Sequence, residues 1–479
     1  MFIIRNIIFF SVFLSIIIFG ITFRIYNLNI ENFWIDEMVT FWISDPNISI
    51  HETIRRNIDA DLHFFFNLLL KIYFNYISYE VDLARYLPAT LSILSIFLII
   101  YLSIIIKNKN PFFLIFLISF NIYFIKYAQE LRSYSLIVFL TIICLIFFFK
   151  IVDEQYKKKF VTTLLFILSQ ALIVLTHIYG LIIVFSFIIF NLISYFKFKK
   201  KNIYLNFSSL ISGVISVIFL IVYLKNISHT VDWYPKIELK FFTNLYFSKF
   251  FGSRLLGLFH LVLLIYLVFK SKILLLKKYD QRLIFLLIII FGYSIPVTYS
   301  LIIKPILLDK YIIFILVPVL ILISNLIYLI KNNLLKKIII SLIVLMTIGN
   351  LFTETVVNQF FSKRKIHKPD LRSVFIEINK SGYKKYSFNL EKGNWTNERV
   401  LNEILKNYSN KYLNKINIKL NYIYYENSAK ILNNNPNFLW LVCLYDINGT
   451  TCTIPKNLTN AKIRKNLSYN RVNLKLLEF

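Results

Sequence analysis

The sequence predicts an α-helical polytopic membrane protein of about eleven transmembrane helices, with a small extracytoplasmic α/β domain at its C-terminal end. Three observations carry this reading. Of 479 residues, 57% are hydrophobic and the mean hydropathy is +0.65, beyond the usual range of soluble domains. Apolar runs such as 7–23, 203–224 and 311–330 can each cross a ~30 Å hydrocarbon core. The loops between such runs are basic in a regular alternation.

In chain order, Arg5 precedes the run 7–23, and no small-residue cleavage pattern follows it. This segment is therefore read as a retained first helix. Five short basic loops follow: Lys107 and Lys109; Lys150 and Lys157 to Lys159; Lys197 to Lys201; Lys270 to Arg282; and Lys331 to Lys337. Together they hold eighteen basic and three acidic residues, which places them on the cytoplasmic side. Alternation then gives spans at 7–23, 87–106, 111–126, 133–150, 160–176, 178–196, 203–224, 251–269, 283–302, 311–330 and 336–352. The N-terminus is inside and the C-terminal segment outside. The run 160–196 is divided at His177, Tyr179 and Gly180. The stretch 63–77 is too short to cross and is read as a helix at the outer interface. The organisation expected is a membrane domain over 1–352, including an outer loop with interfacial helices at 24–86, and an extracytoplasmic domain over 353–479. In the latter, strands are expected within 416–425 and 438–445 and helices near 372–380 and 398–408.

The formal charge of +29 suggests nucleic acid at first sight, but much of it sits on the inner loops. Abundant Ile, Lys and Asn also point to an AT-rich genome, so nucleic-acid binding is set aside. Cys144 lies in an apolar run and reads as a small core residue. Cys443 and Cys452 either pair, if their segment faces an oxidising compartment, or remain free thiols.

Polar chemistry collects on the outer side. The loop 24–86 holds nine of the chain's 25 acidic residues, against five bases. Within it, Trp34 and Trp42 flank Asp36 and Glu37, as in an interfacial aromatic belt. Solvated loop acids are the plain alternative. Further outer clusters are Lys126, Tyr127, Glu130, Arg132 and Tyr134; His177 and Tyr179; Asp232, Trp233 and Tyr234; and Lys304, Asp309, Lys310 and Tyr311. Polar groups near membrane depth are costly and mark functional sites, although snorkelling lysines and hairpin caps account for some of them. A carboxylate can take the proton of an acceptor hydroxyl. Lys and Arg can stabilise charge growing on a phosphate leaving group, and aromatic faces suit sugar rings. These parts describe glycosyl transfer from a lipid phosphate. The alternative is a transporter or flippase of lipid-linked sugars, which would favour acids at the midplane of broken helices.

The motifs resemble those of membrane glycosyltransferases of the GT-C fold, in the bacterial branch of the protein O-mannosyltransferases and the lipid A aminoarabinose transferase. FWIDEMVTFW at 33–42 is similar to the family's Asp-Glu pair after an aromatic residue. DLHFFFNLLLK at 61–71 keeps Asp61 and His63, but has Phe64 and Phe65 where the family has Pro-Pro. RYLP at 85–88, YAQELRSYSL at 127–136, THIYG at 176–180 and DKYIIFILVP at 309–318 follow in order, the second being the most specific. Lys310 stands where the family usually has Arg, replacing a two-pronged contact by a point charge.

The resemblance implies an inverting, polyprenyl-phosphate-sugar-dependent glycosyltransferase acting at the outer face of a bacterial cytoplasmic (inner) membrane. Its partners would be the lipid-linked donor, a glycan, lipid or protein acceptor, and membrane lipids, with no nucleic acid. It maps Asp36 onto the catalytic base. Glu37, about 100° away on a helix, is expected to orient the site. Arg132 and Lys310, with Lys126 and Arg85, are the phosphate-binding candidates. Glu130, Tyr127 and Tyr311 are further substrate-binding candidates. His63 and His177 either contact donor or acceptor, or are ordinary hydrogen-bonded interface histidines. No cofactor is required by this scheme, although an acid pair beside a histidine could hold a divalent cation.

Overall fold

The computed structural model describes residues 2–60, 63–226, 235–353, 368–381, 386–390, 421–423, 438–444 and 460–479, with single positions between 400 and 454. Helices run α1 (Phe2–Ile25), α2 (Ile35–Ile43), α3 (Ile50–Ala60), α4 (Phe64–Tyr76), α5 (Val81–Ala84), α6 (Tyr86–Ile105), α7 (Pro111–Phe120), α8 (Ile122–Ala128) and α9 (Tyr134–Val152). They continue as α10 (Lys159–Thr176), α11 (Gly180–Phe196), α12 (Ile203–Asn226), α13 (Leu239–Phe242), α14 (Phe247–Phe250), α15 (Arg254–Ser271), α16 (Leu283–Ile302), α17 (Leu316–Leu326) and α18 (Asn333–Thr353). The chain forms two compact units. One comprises Met1–Tyr26, Ile50–Leu69 and Tyr86–Arg364; the other comprises Asn27–Ser49, Leu70–Arg85 and Lys365–Phe479.

The first unit is a helical membrane body. Among the described residues, eight helices are long and apolar enough to cross a membrane, or nine if the bent pair α7 and α8 is one span. Two shorter apolar helices, Phe10–Ile25 and Gly180–Phe196, correspond to the remaining spans expected from the sequence. At 13 residues, α4 is about 20 Å long and falls short of a crossing. Burial separates centre from periphery. The span Asp309–Leu329 is 89% buried, whereas Ile203–Lys225 and Asn333–Phe352 are 17% buried and present their apolar side chains outward.

The segment 111–126, expected as one helix, is broken into two. The axes of α7 and α8 differ by 49°. The cause is Asn121, whose Oδ1 accepts from Tyr123 N–H (3.1 Å) and Phe124 N–H (3.0 Å), capping a new helix inside an apolar run. Carbonyls at the end of α7 are served by Arg24, buried at the end of α1. Its guanidinium donates to Ile118 O (3.1 Å), Ser119 O (2.9 Å), Gly20 O (2.7 Å) and Ser92 Oγ (2.8 Å). A cation at a helix C-terminus is favoured by the helix dipole, and four oxygens replace the water it loses. Close approach matters here too: a Cβ at Gly20 would lie 2.9 Å from Ser119 Cβ. The break fixes the direction in which α8 delivers the YAQELRSY segment.

The second unit joins two pieces of the first outer loop to the C-terminal residues. Its sheet has the order β2-β1-β3-β5-β4, from β1 (Tyr386–Leu390), β2 (Asn421–Ile423), β3 (Phe438–Leu444), β4 (Lys462–Tyr469) and β5 (Val472–Glu478). β1 is parallel to β2 and β3, and β5 is antiparallel to β3 and β4. Helix Leu371–Lys380 buries Leu371, Val374, Phe375 and Ile378, spaced as one apolar face. Leu439, Leu441, Cys443, Ala461 and Leu477 form a separate core cluster. The sequence reading found β2, β3 and this helix but not β1 or the β4–β5 hairpin; most of the helix expected at 398–408 lies outside the described residues. The outer-loop pieces and the C-terminal residues are tied by Phe33 N–H to Tyr408 Oη (3.1 Å), Asn32 Nδ2 to Pro369 O (3.1 Å) and Arg372 Nη2 to Asn29 O (2.6 Å). Arg372 and Lys411 also pair with Asp82.

Candidate functional site

Expected site residues fall in both units, in one cluster each. In the membrane unit, His63 is set by the turn before α4, where its carbonyl accepts from Asn67 N–H (3.0 Å). Its Nδ1 lies 2.9 Å from Thr176 O and 3.1 Å from Ser133 Oγ, and its Nε2 lies 3.1 Å from Arg132 Nη2. A carbonyl can only accept and a guanidinium can only donate. The ring is therefore a neutral imidazole, protonated on Nδ1, that accepts from Arg132. Ser133 and Thr176 were not singled out from the sequence; the carbonyl of Thr176 carries no side-chain signal.

His177 ends α10 in an extended conformation, and the hairpin closes on Gly180, where a Cβ would lie 2.4 Å from Ile173 O. Its Nδ1 accepts from Tyr179 N–H (3.1 Å), which leaves the ring proton on Nε2. Burial, then the nearby His63, Arg132 and Lys310, hold its pKa well below that of a free histidine. His177 is thus a neutral donor beside two cations.

The rings continue from there. His63 and His177 are 4.9 Å apart, His177 and Tyr311 4.9 Å, Tyr311 and Tyr134 6.4 Å, Tyr134 and Tyr127 4.9 Å, and Tyr127 and Tyr123 4.7 Å between centroids. Lys310 lies 5.8 Å from the centres of both Tyr134 and Tyr311. Within one unit, then, the structure brings together His63, Arg132, His177, Lys310, Tyr311 and Tyr127. Lys126 is exposed and rests against the Tyr127 ring (5.4 Å), and Glu130 lies within electrostatic reach of Tyr127. Two cations held among neutral imidazoles and phenols make an arrangement suited to an anion such as phosphate.

The second unit holds Asp36, Glu37 and Arg85. Both acids lie in the first turn of α2, where the helix dipole favours negative charge. Glu37 is fully buried, and its carboxylate accepts from Arg85 Nε and Nη2 (both 2.8 Å), Lys368 Nζ (2.7 Å) and Trp34 N–H (3.1 Å). Asp36, one position earlier, is half-buried on a different face. Arg85 departs from its expected role as a phosphate ligand. Its other donors go to Leu28 O (3.2 Å), Glu31 O (2.6 Å) and Asn32 O (3.1 Å), so all five N–H groups meet protein oxygens. It holds Glu37 and the entry to α2 instead. Lys368 was not found from the sequence, because nothing local marks a lysine 331 residues away as a partner of Glu37.

The contrast within the acid pair predicts different failures. Glu37→Gln strands a buried guanidinium and should cost about 3–5 kcal/mol of stability. The expected result is a lower thermal midpoint and reduced yield in detergent, whereas Asp36→Asn should leave both near the parent values.

Among the described residues, no three or more His, Cys, Asp or Glu side chains are grouped so as to hold a metal ion.

No family model matches the sequence, and no curated protein sequence matches it. Solved structures do. ArnT from Cupriavidus metallidurans in the apo state aligns over 98% of this chain and 98% of its own, with a TM-score of 0.59 and 10% identity. The same protein bound to undecaprenyl phosphate aligns over the same shares, with a TM-score of 0.54. The chain has the GT-C fold. The archaeal oligosaccharyltransferase AglB from Archaeoglobus fulgidus, in complex with an inhibitory peptide and a dolichol-phosphate, is a more distant match. It aligns over 79% of this chain and 62% of its own, at 11% identity and a TM-score of 0.50. For this GT-C chain, identities of 10–11% establish the architecture, and the chemistry must be argued from its own residues.

Proposed function

We propose that this chain is a glycosyltransferase that moves a sugar from a polyprenyl-phosphate donor to an acceptor hydroxyl at the outer membrane face, with inversion. The observation that carries the proposal is the grouping of Arg132 and Lys310 with two neutral histidines in a chain whose fold aligns end to end with ArnT. The solved relatives hold undecaprenyl phosphate and a dolichol-phosphate, which supports a lipid phosphate as the ligand of that cluster.

In this scheme the acceptor oxygen attacks the anomeric carbon, the bond from that carbon to the phosphate oxygen breaks, and polyprenyl phosphate leaves. Asp36 takes the acceptor's proton, contributing ~10²–10⁴-fold. Arg132 and Lys310 stabilise the negative charge growing on the leaving phosphate. His177, neutral, donates through Nε2 rather than serving as a base. Glu37 with Arg85 and Lys368 is a positioning assembly for α2. Incubation of the purified protein in nanodiscs with a polyprenyl-phosphate hexose and cell-envelope glycan should release sugar-free polyprenyl phosphate and elongate the glycan. Movement of the intact lipid-linked sugar across a bilayer, with the glycosidic bond unbroken, would overturn the proposal in favour of a flippase.

The same proposal puts the C-terminal residues outside the cytoplasm. Cys443 is disulfide-bonded whereas Cys144 is free and buried; Cys452, the third cysteine in the sequence, lies outside the described residues. Disulfides persist in oxidising compartments. In intact spheroplasts, a cysteine placed at the exposed Lys462 should therefore label with a membrane-impermeant thiol reagent. Cysteines placed at Lys158, Lys200 and Lys337 should label only after permeabilisation. A cysteine at Lys462 that requires permeabilisation would invert the topology and with it the side of the active site.

A further inference from the structure

The polar ring row ends at a feature for which the phosphate cluster has no use. Leu245 and Tyr246 both lie in the left-handed region, with φ of 47° and 62°. Two consecutive non-glycine residues there are strained, and such strain persists only where surrounding structure holds it and tends to gather at ligand sites. The turn is held firmly: Leu245 O accepts from Tyr293 Oη (2.7 Å), Phe247 N–H donates to Asn244 O (2.8 Å), and Phe247 and Phe250 are buried. A Cβ at Gly257 would lie 2.5 Å from the Phe247 carbonyl carbon, so α15 abuts the turn.

What the turn carries is chemistry. Lys249 Nζ lies 3.3 Å from Asp309 Oδ2 and 5.0 Å from the Tyr246 ring centre. Tyr246 and Tyr127 lie within electrostatic reach of Asp309, as does the Tyr123 hydroxyl. Tyr123 is only 3% exposed, and its hydroxyl interacts with Tyr127 and Asp309. Asp309 and Lys249 keep 17% and 56% of their side chains accessible, so the charged side of this cluster, here called the bowl, reaches solvent. Carboxylate and ammonium acceptors and donors, set among phenol rings, match the hydroxyls and C–H faces of a sugar. Asp309, Lys310 and Tyr311 are consecutive, which links this bowl to the cation cluster.

We propose that the bowl of Asp309, Lys249, Tyr246, Tyr123 and Tyr127 is the subsite for the transferred sugar, and that it takes an uncharged, hydroxyl-rich pyranose. The assignment rests on the donor reading above. The Lys249–Asp309 pair sums to zero charge and, in the donor reading, Lys310 serves the phosphate, so a uronic acid or amino sugar would have to displace one partner of this pair to find a counter-ion. Lys249 is a specificity-determining residue here; its side chain is more than half exposed, so replacing it does not threaten the fold.

The test is equilibrium binding to protein in nanodiscs, using polyprenol, polyprenyl phosphate, polyprenyl-phosphate glucose and polyprenyl-phosphate glucuronate. The parent should bind the glucose lipid about tenfold more tightly than bare polyprenyl phosphate, with the glucuronate lipid weaker than the glucose lipid. Lys249→Met and Asp309→Asn should each reduce the preference for glucose to below about threefold while leaving affinity for the bare phosphate lipid within about twofold. A preference that survives Lys249→Met, an equal loss for the bare lipid, or tighter binding of the glucuronate lipid overturns the subsite. A parent protein that binds polyprenyl phosphate no better than polyprenol overturns the donor reading itself, and this assignment with it.

Discussion

Turnover by Asp36→Asn should fall by about 10² or more, with membrane insertion and protein level unchanged. Asp36 lies at the start of α2, half-buried and about 100° around the helix from Glu37, whose assembly with Arg85 and Lys368 anchors the helix. The substitution preserves size and removes only the capacity to accept a proton. The decisive measurement is single-turnover transfer from a polyprenyl-phosphate hexose by purified variants, compared with their thermal midpoints. A fully active Asp36→Asn sinks the assignment of the base. An inactive Glu37→Gln with a parental midpoint would move the base to Glu37. Loss of activity together with stability in Glu37→Gln is the outcome expected of a positioning residue.

Arg132→Ala should reduce kcat/KM for the lipid-linked donor by about 10² or more, and Arg132→Lys should recover only part of it. A charge-assisted contact to phosphate contributes about 1.5–3 kcal/mol in the ground state, and more as charge grows on the leaving group. Lysine restores the charge but not the planar fork. His63 provides a second reading of the same contact, because its Nε2 accepts from Arg132 Nη2 at 3.1 Å. His63→Phe should lower donor kcat/KM by about tenfold through misplacement of the guanidinium, and should add little on top of Arg132→Ala. Full activity in Arg132→Ala below donor saturation removes the residue from the site. Additive losses in the double variant would mean that His63 acts independently.

The legible part of the fold came from one-dimensional signals. A membrane helix must satisfy its backbone internally over about twenty apolar residues, and its loops obey a charge bias, so spans and basic loops can be read from composition alone. YAQELRSY and THIYG could likewise be assigned to helix ends, because polar residues interrupt apolar runs there. The break at Asn121 has a weaker signal, a lone Asn that can cap a helix inside an apolar run that otherwise reads as one span. The β4–β5 hairpin carried a weaker signal in alternating residues around Asn470 and Arg471.

What the tertiary structure decided is which of the many cations do chemistry. Arg85 and Arg132 look alike in sequence, each within two residues of a tyrosine that starts a helix. Only the fold places Arg85 against a buried carboxylate and three carbonyls, and Arg132 against a neutral imidazole. Arg24 similarly reads as the first base of an outer loop, and becomes the cap of a broken helix through carbonyls more than ninety residues away. Composition and periodicity determine where a chain meets the membrane, because that partition depends on each segment's own free energy of transfer. The availability of a charged group depends on which partners desolvate and bind it, and those come from distant parts of the chain.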